Sequence, residues 1–427
     1  MLNRINPNKI NAFVLLLRNF NSRIIPAKLI TFCLTLFIIN ILSHFNMINP
    51  FFSDGCSTSI FKISAAYAED SAGTWNYYKS RFISSDGRVT DIFQNNISHS
   101  EGQRYALLLA LYNNDKETFE KILHWTQNNL MVRKDGLAAW SWGKRDNGEW
   151  GVIDYNNATD GDILIAWAML GAGEKWKNSG WISWAEATID RIRVSLTIKR
   201  DNKTVLLPGY YGFTNKLDKL SQSDKSNQSE KAGKKEKSES INIRINISYF
   251  IFPAFNAFAL HAANNPDSPN SAENKKFWKE LFSDSIAILK HSLAGKMTLP
   301  PDWLNIDQNG NFVLDKSKGA EFSYDAVRVP LYLAMADDKK SLEIFSLYLK
   351  FCEKIVYVPV RVDLVNDQIS IQEASGGFYA VFARCAQMLE QDDMSKSLMQ
   401  KADDKIKHEL DDYYSNTLYL LAKSIQH

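Results

Sequence analysis

From Ala72 onward, apolar residues recur at the spacing of helices. Tyr105 to Tyr112 is one continuous apolar run. A second segment starts at Asp115, carries Phe119, Ile122 and Leu123 on one face, and ends near Asn128-Asn129. The same reading predicts helices over Ile163–Leu170, Trp184–Leu196, Phe255–Ala263, Phe277–Leu293 and Val327–Met335. Further on it predicts Leu342–Cys352, Gly377–Leu389, Met394–Leu410 and Tyr413–Ile425. Few segments have strand character. Thr204–Leu207 and Val356–Val362 are the best, and Pro359 demotes the second to an edge strand because it lacks an N–H to donate. Helices joined by short loops predict antiparallel pairs, as a bundle or a toroid of helical hairpins. No fixed period repeats, so a regular solenoid is not expected.

Two stretches depart from this pattern. Residues 1–53 contain no Asp or Glu; they carry Arg4, Lys9, Arg18, Arg23 and Lys28 and then the apolar run Leu29 to Leu42. A basic segment followed by an apolar one reads as an export signal, and Ala66-Tyr67-Ala68 offers a small-residue cleavage site. Thr31, Thr35 and Asn40 make the run a poor membrane span. The expectation is export to the periplasm or beyond after cleavage near Ala68, with a retained N-terminal anchor as the alternative. Residues 69–427 then form a single catalytic domain. The second departure is 219–240, a polar run with no large apolar side chain to bury, expected to be a disordered surface loop inside that domain.

Composition narrows the partners. The formal net charge is only +2, with much of the excess base in the leader, so a nucleic-acid partner is not expected. Cys33, Cys56, Cys352 and Cys385 fit no metal motif, and no metal or cofactor is expected. Cys352 and Cys385 are read as buried free thiols, with a disulfide between them as the alternative.

Three carboxylates sit at predicted helix starts: Glu101 in Ser98-His99-Ser100-Glu101-Gly102-Gln103, Asp160 in Ala158-Thr159-Asp160-Gly161-Asp162, and Asp325 in Ser323-Tyr324-Asp325-Ala326-Val327-Arg328. Each has a plain reading. Ser98 and Glu101 have capping-box spacing, Thr159-Asp160 fits a helix cap, and Asp325 and Arg328 fit a surface ion pair. Their flanks favour chemistry: glycine after Glu101 and Asp160 permits close approach, and Tyr324 before Asp325 offers a sugar-binding face. Eight of the eleven tryptophans lie between Trp125 and Trp184. Trp125, Trp167 and Trp176 fall on predicted helices and read as core. Trp140 falls in a predicted loop running to Trp150 and reads as a stacking surface for a sugar. Paired acids with aromatic faces are the chemistry of glycosidic bond cleavage.

On these residues the chain resembles glycoside hydrolase family 8, through the whole segment Ala158 to Trp176, through Ser100-Glu101-Gly102-Gln103 and through Ser323 to Val329. Trp125 to Leu130, Leu206-Leu207-Pro208-Gly209 and Pro301-Asp302-Trp303 are similar blocks. The endoglucanases that accompany bacterial cellulose synthase are the nearest in pattern. The resemblance implies an all-α (α/α)6 barrel with minor strands. It implies endo-hydrolysis of β-1,4-glucan with inversion, by a monomer, with the cellulose synthase complex as a partner. Glu101 would be the general acid, Asp325 the general base, and Asp160 the group holding the sugar at the point of cleavage. Trp140, Tyr249, Tyr324 and Arg328 would contact substrate or support the base. The chain departs from the family at Arg104-Tyr105-Ala106, where small residues are usual, and at Ile247, where proline is usual.

An inverting pair must stand roughly 6.5–9.5 Å apart to admit a water. The helix N-terminus favours an ionised base at Asp325 but opposes a protonated Glu101. Glu101 is therefore expected to need burial or an anionic neighbour, Asp160, to keep its proton. Two other readings stand beside this one: a polysaccharide lyase on a similar toroid, and a glucan-binding protein without catalysis. Serine-hydrolase, P-loop and zinc-protease motifs are absent.

Overall fold

A computed structural model of the protein describes residues 73–214 and 242–425; the predicted leader and the 219–240 insertion lie outside these. The helices are α1 (Trp75–Phe82), α2 (Ser100–Tyr112), α3 (Lys116–Asn129), α4 (Thr159–Trp176), α5 (Ser179–Ser195) and α6 (Phe252–Asn264). They continue as α7 (Ser271–Ser292), α8 (Arg328–Met335), α9 (Lys339–Leu342), α10 (Ser346–Ile355), α11 (Gly376–Met388), α12 (Asp392–Ile406) and α13 (Tyr413–Ser424).

Burial sorts them into two layers. In α2 every residue from Gly102 to Tyr112 is buried, and in α4 every residue from Thr159 to Gly173. A helix that is apolar all round must be enclosed on all sides. By contrast α3 buries only Phe119, Ile122, Leu123, Trp125 and Thr126, and α12 only Ala402 and Ile406. Such one-sided helices cover the outside. The inner set is α2, α4, α6, α8, α11 and α13; each touches the next, and α13 returns to α2. Outer helices α3, α5, α7 and α12 follow their inner partners in sequence, α9 follows α8, α10 packs on α11, and α1 packs on α13. The all-α toroid of six hairpins is therefore present, and it forms one contiguous core.

Short antiparallel strands gather before the inner helices. β1 (Ser98–His99), β2 (Ser141–Lys144) and β3 (Trp150–Asp154) form one sheet, and β1 runs straight into α2. β4 (Thr197–Arg200) pairs with β5 (Lys203–Leu206). β6 (Ile243–Asn246), β7 (Trp303–Ile306) and β8 (Phe312–Leu314) form a third sheet. β9 (Glu321–Phe322) pairs with β10 (Val362–Asp363). Two strand expectations change here. The predicted loop from Trp140 to Trp150 is mostly a hairpin, in which Lys144 pairs with Trp150 and Trp142 with Val152. The predicted strand Val356–Val362 pairs in ladder form only at Val362, because Val356 turns left-handed (φ 67°) to close α10.

Cys352 and Cys385 are free and buried. Among the described residues no helix is long and apolar enough to cross a membrane.

Candidate active site

The plain readings of the three acids fail in turn. His99, not Ser98, caps α2: its Nδ1 accepts from the Gly102 amide at 3.0 Å, while the Ser98 hydroxyl donates to the Val89 carbonyl. Glu101 is thus released from capping, and it is the one residue of α2 that is not buried. The start of α4 has no side-chain cap, and Asp160 instead turns toward α2. Gly161 makes this approach possible, since a Cβ there would stand 2.7 Å from Ser100 Oγ and 3.4 Å from Arg104 Nη1. The Asp325–Arg328 pair exists at 2.7 Å, but Arg328 is only 3% exposed, so it is no surface pair.

Two buried guanidiniums organise the three acids. Arg328 donates from Nη1 to Glu101 Oε2 at 2.8 Å and from Nη2 to Asp325 Oδ1 at 2.7 Å. Its Nη2 also donates to Ser248 Oγ at 2.5 Å, just ahead of α6. Arg104, 1% exposed, donates to Glu101 Oε2 at 3.1 Å and to Asp160 Oδ2 at 2.7 Å. Residues more than two hundred positions apart in sequence therefore meet on one arginine. Glu101 and Asp325 keep 26% and 31% of their side chains exposed, whereas Asp160 keeps 2%. Two carboxylates on the two ends of one guanidinium have their bound oxygens at most about 8 Å apart, a span compatible with the inverting window.

The electrostatics correct one expectation. Burial pushes the Glu101 carboxyl up, but Arg328, Arg104 and His99 outweigh it and hold Glu101 below its ordinary value. Asp160 was expected to raise it, yet Asp160 is itself paired to Arg104. Burial wins at Asp160, whose carboxyl is raised despite Arg104 and Arg328, with the nearby Glu101 charge adding to the rise.

Asp325 is held from its other side. Trp303 Nε1, at the start of β7, donates to Asp325 Oδ2 at 3.0 Å. Behind it, buried Asp302 accepts from the Ser323 and Ala326 amides at 2.9 and 2.7 Å, fixing the turn that carries Asp325. Burial and the Asp325 charge push Asp302 up to about 7. On α4, buried Asp162 accepts from the Ala138 amide and from Asn157, both at 2.8 Å, and so anchors the chain leading to Trp140. Burial pushes Asp162 up to about 7.

Aromatic faces surround the acids. Trp140 is 38% exposed, and its carbonyl accepts from the Ser100 amide beside Glu101. Tyr324 is 52% exposed and packs edge-on against Phe378. Half-buried Tyr249 lies 6.3 Å from the Trp303 ring, and Phe213 stacks nearly parallel on the same ring. Trp125 and Trp167 are core, and Trp176 packs on Phe119 and Trp181. All seven residues singled out in sequence thus lie on the strand-to-helix ends of the inner ring. Sequence reasoning noted Arg104, Asp302 and Trp303 without giving them a role, and gave none to Ser248 or to Tyr413, whose hydroxyl reaches Glu101 Oε1 at 3.4 Å. For Arg104 a signal existed: a lone charge one helical turn after Glu101, leading into an apolar run.

A carboxylate pair bridged by arginine at one end of a helical toroid is the setting of glycosidic cleavage. The chain matches the profile of Glycosyl hydrolases family 8 over residues 51–222 and 226–427. It belongs to glycosyl hydrolase family 8. An endoglucanase of Cellulomonas uda is 30% identical over 326 residues, 76% of this chain and 79% of that protein. An endoglucanase of Escherichia coli K12 is 31% identical over 314 residues, 71% of this chain and 75% of that protein. An endo-1,4-D-glucanase structure from Vibrio fischeri ES114 superposes with a TM-score of 0.65 at 27% identity, covering 82% of this chain and 93% of that one. As a family 8 member the protein is a glycoside hydrolase, and its six hairpins are that family's (α/α)6 barrel. The lyase reading is thereby set aside.

Proposed function

We propose that the protein is an endo-acting glucanase that cuts β-1,4-linked glucan by a single inverting displacement, with Glu101 as acid and Asp325 as base. The observation that carries this reading is the Arg328 bridge, which sets two partly exposed carboxylates on opposite ends of one guanidinium. In the reaction a water oxygen bonds to the anomeric carbon as the glycosidic C–O bond breaks. Asp325 takes the water proton, and Glu101 gives its own to the leaving oxygen. Trp303 and Arg328 each donate to Asp325, one to each carboxylate oxygen, which orients it toward the attacking water. We assign Asp160 to holding the sugar at the point of cleavage: its oxygens already accept from Arg104 and the Gly161 amide, and each keeps a further lone pair. Trp140 and Tyr324 offer exposed ring faces for pyranose stacking, and Tyr249 sits beside the base turn.

Glu101→Gln is expected to lower kcat on a soluble cellulose derivative by about 10²–10⁴-fold while oligosaccharide binding stays intact, the usual worth of a positioned acid. Retention of more than about a hundredth of the rate removes Glu101 from this role. Early NMR of the wild-type digest should show the α-anomer first; β-anomer would exclude the single displacement. The same assay across xylan, chitosan and mixed-linkage glucan should leave β-1,4-glucan preferred.

The finer part of the proposal places the enzyme, exported and monomeric, beside cellulose synthase. It rests on the basic, apolar leader and on the motif resemblance given above. Unchanged cellulose output in a strain lacking the protein would remove that link.

A further inference from the structure

Arg104 is a full positive charge within the enclosed inner layer of the barrel, immediately before the buried apolar run Tyr105–Tyr112 of α2. Both of its side-chain bonds leave through Nη2, one to Glu101 and one to Asp160. Its Cζ lies 4.8 Å over the Tyr105 ring, and Gly161 leaves the space its Nη1 occupies. Position and contacts are therefore fixed on three sides. Glu101 Oε2 meets two guanidiniums at once, Arg104 at 3.1 Å and Arg328 at 2.8 Å. Only Oε1, facing the Tyr413 hydroxyl at 3.4 Å, is left to carry a transferable proton.

We propose that Arg104 is a positioning residue that clamps Glu101 to Asp160, commits the acid to delivering its proton through Oε1, and confines turnover to acidic solution. The inference rests on Glu101 being the acid.

The charges around Glu101 account for the direction. On its own chain segment stand Arg104 and His99, the latter with Nδ1 taken by the Gly102 amide and Nε2 3.3 Å from Asp91. Arg328 approaches from α8 and Tyr413 from α13. The neutral phenols of Tyr78, Tyr105 and Tyr414 complete the surroundings, each raised by burial. Against the two arginines stand Asp160, spent largely on Arg104, and Asp325, on the far side of Arg328. Glu101 is accordingly held low. An adjacent cation typically lowers a carboxyl by about one to three pH units, so removing one of two should return at least about one unit.

The test is the pH profile of kcat/KM on a soluble β-1,4-glucan for wild type, Arg104→Gln and Arg104→Lys. The alkaline limb reports the acid of the free enzyme. It should lie below neutrality in wild type, move up by about one unit or more in Arg104→Gln with about tenfold higher kcat/KM at pH 7, and stay low in Arg104→Lys. An unmoved limb, an equal movement in both variants, or loss of turnover at every pH overturns the inference. Should Arg104→Gln fail to fold, a wild-type limb at or above pH 7 overturns it alone. Failure of the underlying assignment looks different, because Glu101→Gln would then remain active.

Discussion

Helix α4 has a charged cluster at each end, and the two ends are built differently. At the start of α4 stands Asp160; near its end, fourteen residues and about 21 Å along the axis, stands Glu174. At the first end three carboxylates, Glu101, Asp160 and Asp325, face two buried guanidiniums contributed by α2 and α8. At the second, His261 of α6 lies between Glu174 at 3.2 Å and Glu186 of α5 at 3.0 Å. Ser268 donates to Glu186, so that cluster is tied together by neighbouring hairpins. The first cluster gathers groups from distant parts of the chain and leaves two acids partly open to solvent. The second is assembled from consecutive elements, with the imidazole 7% exposed. The helix dipole favours Asp160 at the start of α4 and a charged His261 near the end of α6, but it opposes Glu174 in the last turn of α4, which the imidazole offsets. The acids of the two clusters are similarly exposed, so the difference lies in origin: acids brought from distant segments onto shared guanidiniums can act together on one substrate, whereas a cluster drawn from consecutive helices ties those helices to one another.

The largest effect that separates the ends should come from Arg328→Met. It removes the shared donor of Glu101 and Asp325 and the 2.5 Å bond to Ser248. Breaking one side of a buried ionic network costs about 3–5 kcal/mol of stability. A loss of about 3 kcal/mol in transition-state support is roughly a hundredfold in kcat. A variant that keeps more than half of wild-type kcat would dissolve the distinction between the ends. A smaller effect belongs to Trp303→Phe, which keeps an aromatic ring against Phe213 but deletes the N–H donated to Asp325. A hydrogen bond to a charged group is worth about 1.5–3 kcal/mol when buried, and partial exposure here reduces it to about tenfold in kcat with KM nearly unchanged. Equal losses in kcat and binding would make Trp303 a sugar platform rather than a support of the base.

Much of this was legible in the residues. The runs Tyr105–Tyr112 and Ile163–Leu170 marked helices, and the resemblance of Ala158–Trp176 supplied the barrel, although which helices are enclosed on every side shows only in the fold. Glu101, Asp160 and Asp325 were visible because each stands at a predicted helix start, flanked by glycine or an aromatic. What stayed hidden depended on contact across the ring. Nothing local says that Arg328 reaches Glu101 as well as Asp325, or that Asp302 fixes the base turn through the Ser323 and Ala326 amides. The pKa argument for Glu101 went astray for the same reason: Asp160 was counted as a free anion, whereas Arg104 occupies it. The short strands were under-read because two- to five-residue ladders such as β2 and β3 carry too few positions to display a period of two.

The smallest expected effect tests the second end alone. His261→Gln preserves shape and one hydrogen bond but removes a charge from between two carboxylates. The His261 value is raised: burial lowers it, and the bonds to Glu174 and Glu186 more than compensate. The folded protein therefore holds this proton more tightly than the unfolded chain. Below about pH 6.5 both states carry the proton and the stabilisation is complete. As pH rises past that point the unfolded chain loses its proton first, and stability falls until the folded value is passed. Both glutamates are about a third exposed, so solvent screening keeps the gain modest. The expected Tm loss for His261→Gln is about 2–4 °C at pH 6, shrinking as pH rises through the folded value, with kcat/KM unchanged throughout. A Tm difference that is constant with pH would mean that packing, not charge, holds this end. A change in kcat/KM would mean that the two ends of α4 are coupled, and the division of labour argued from their geometry would fail.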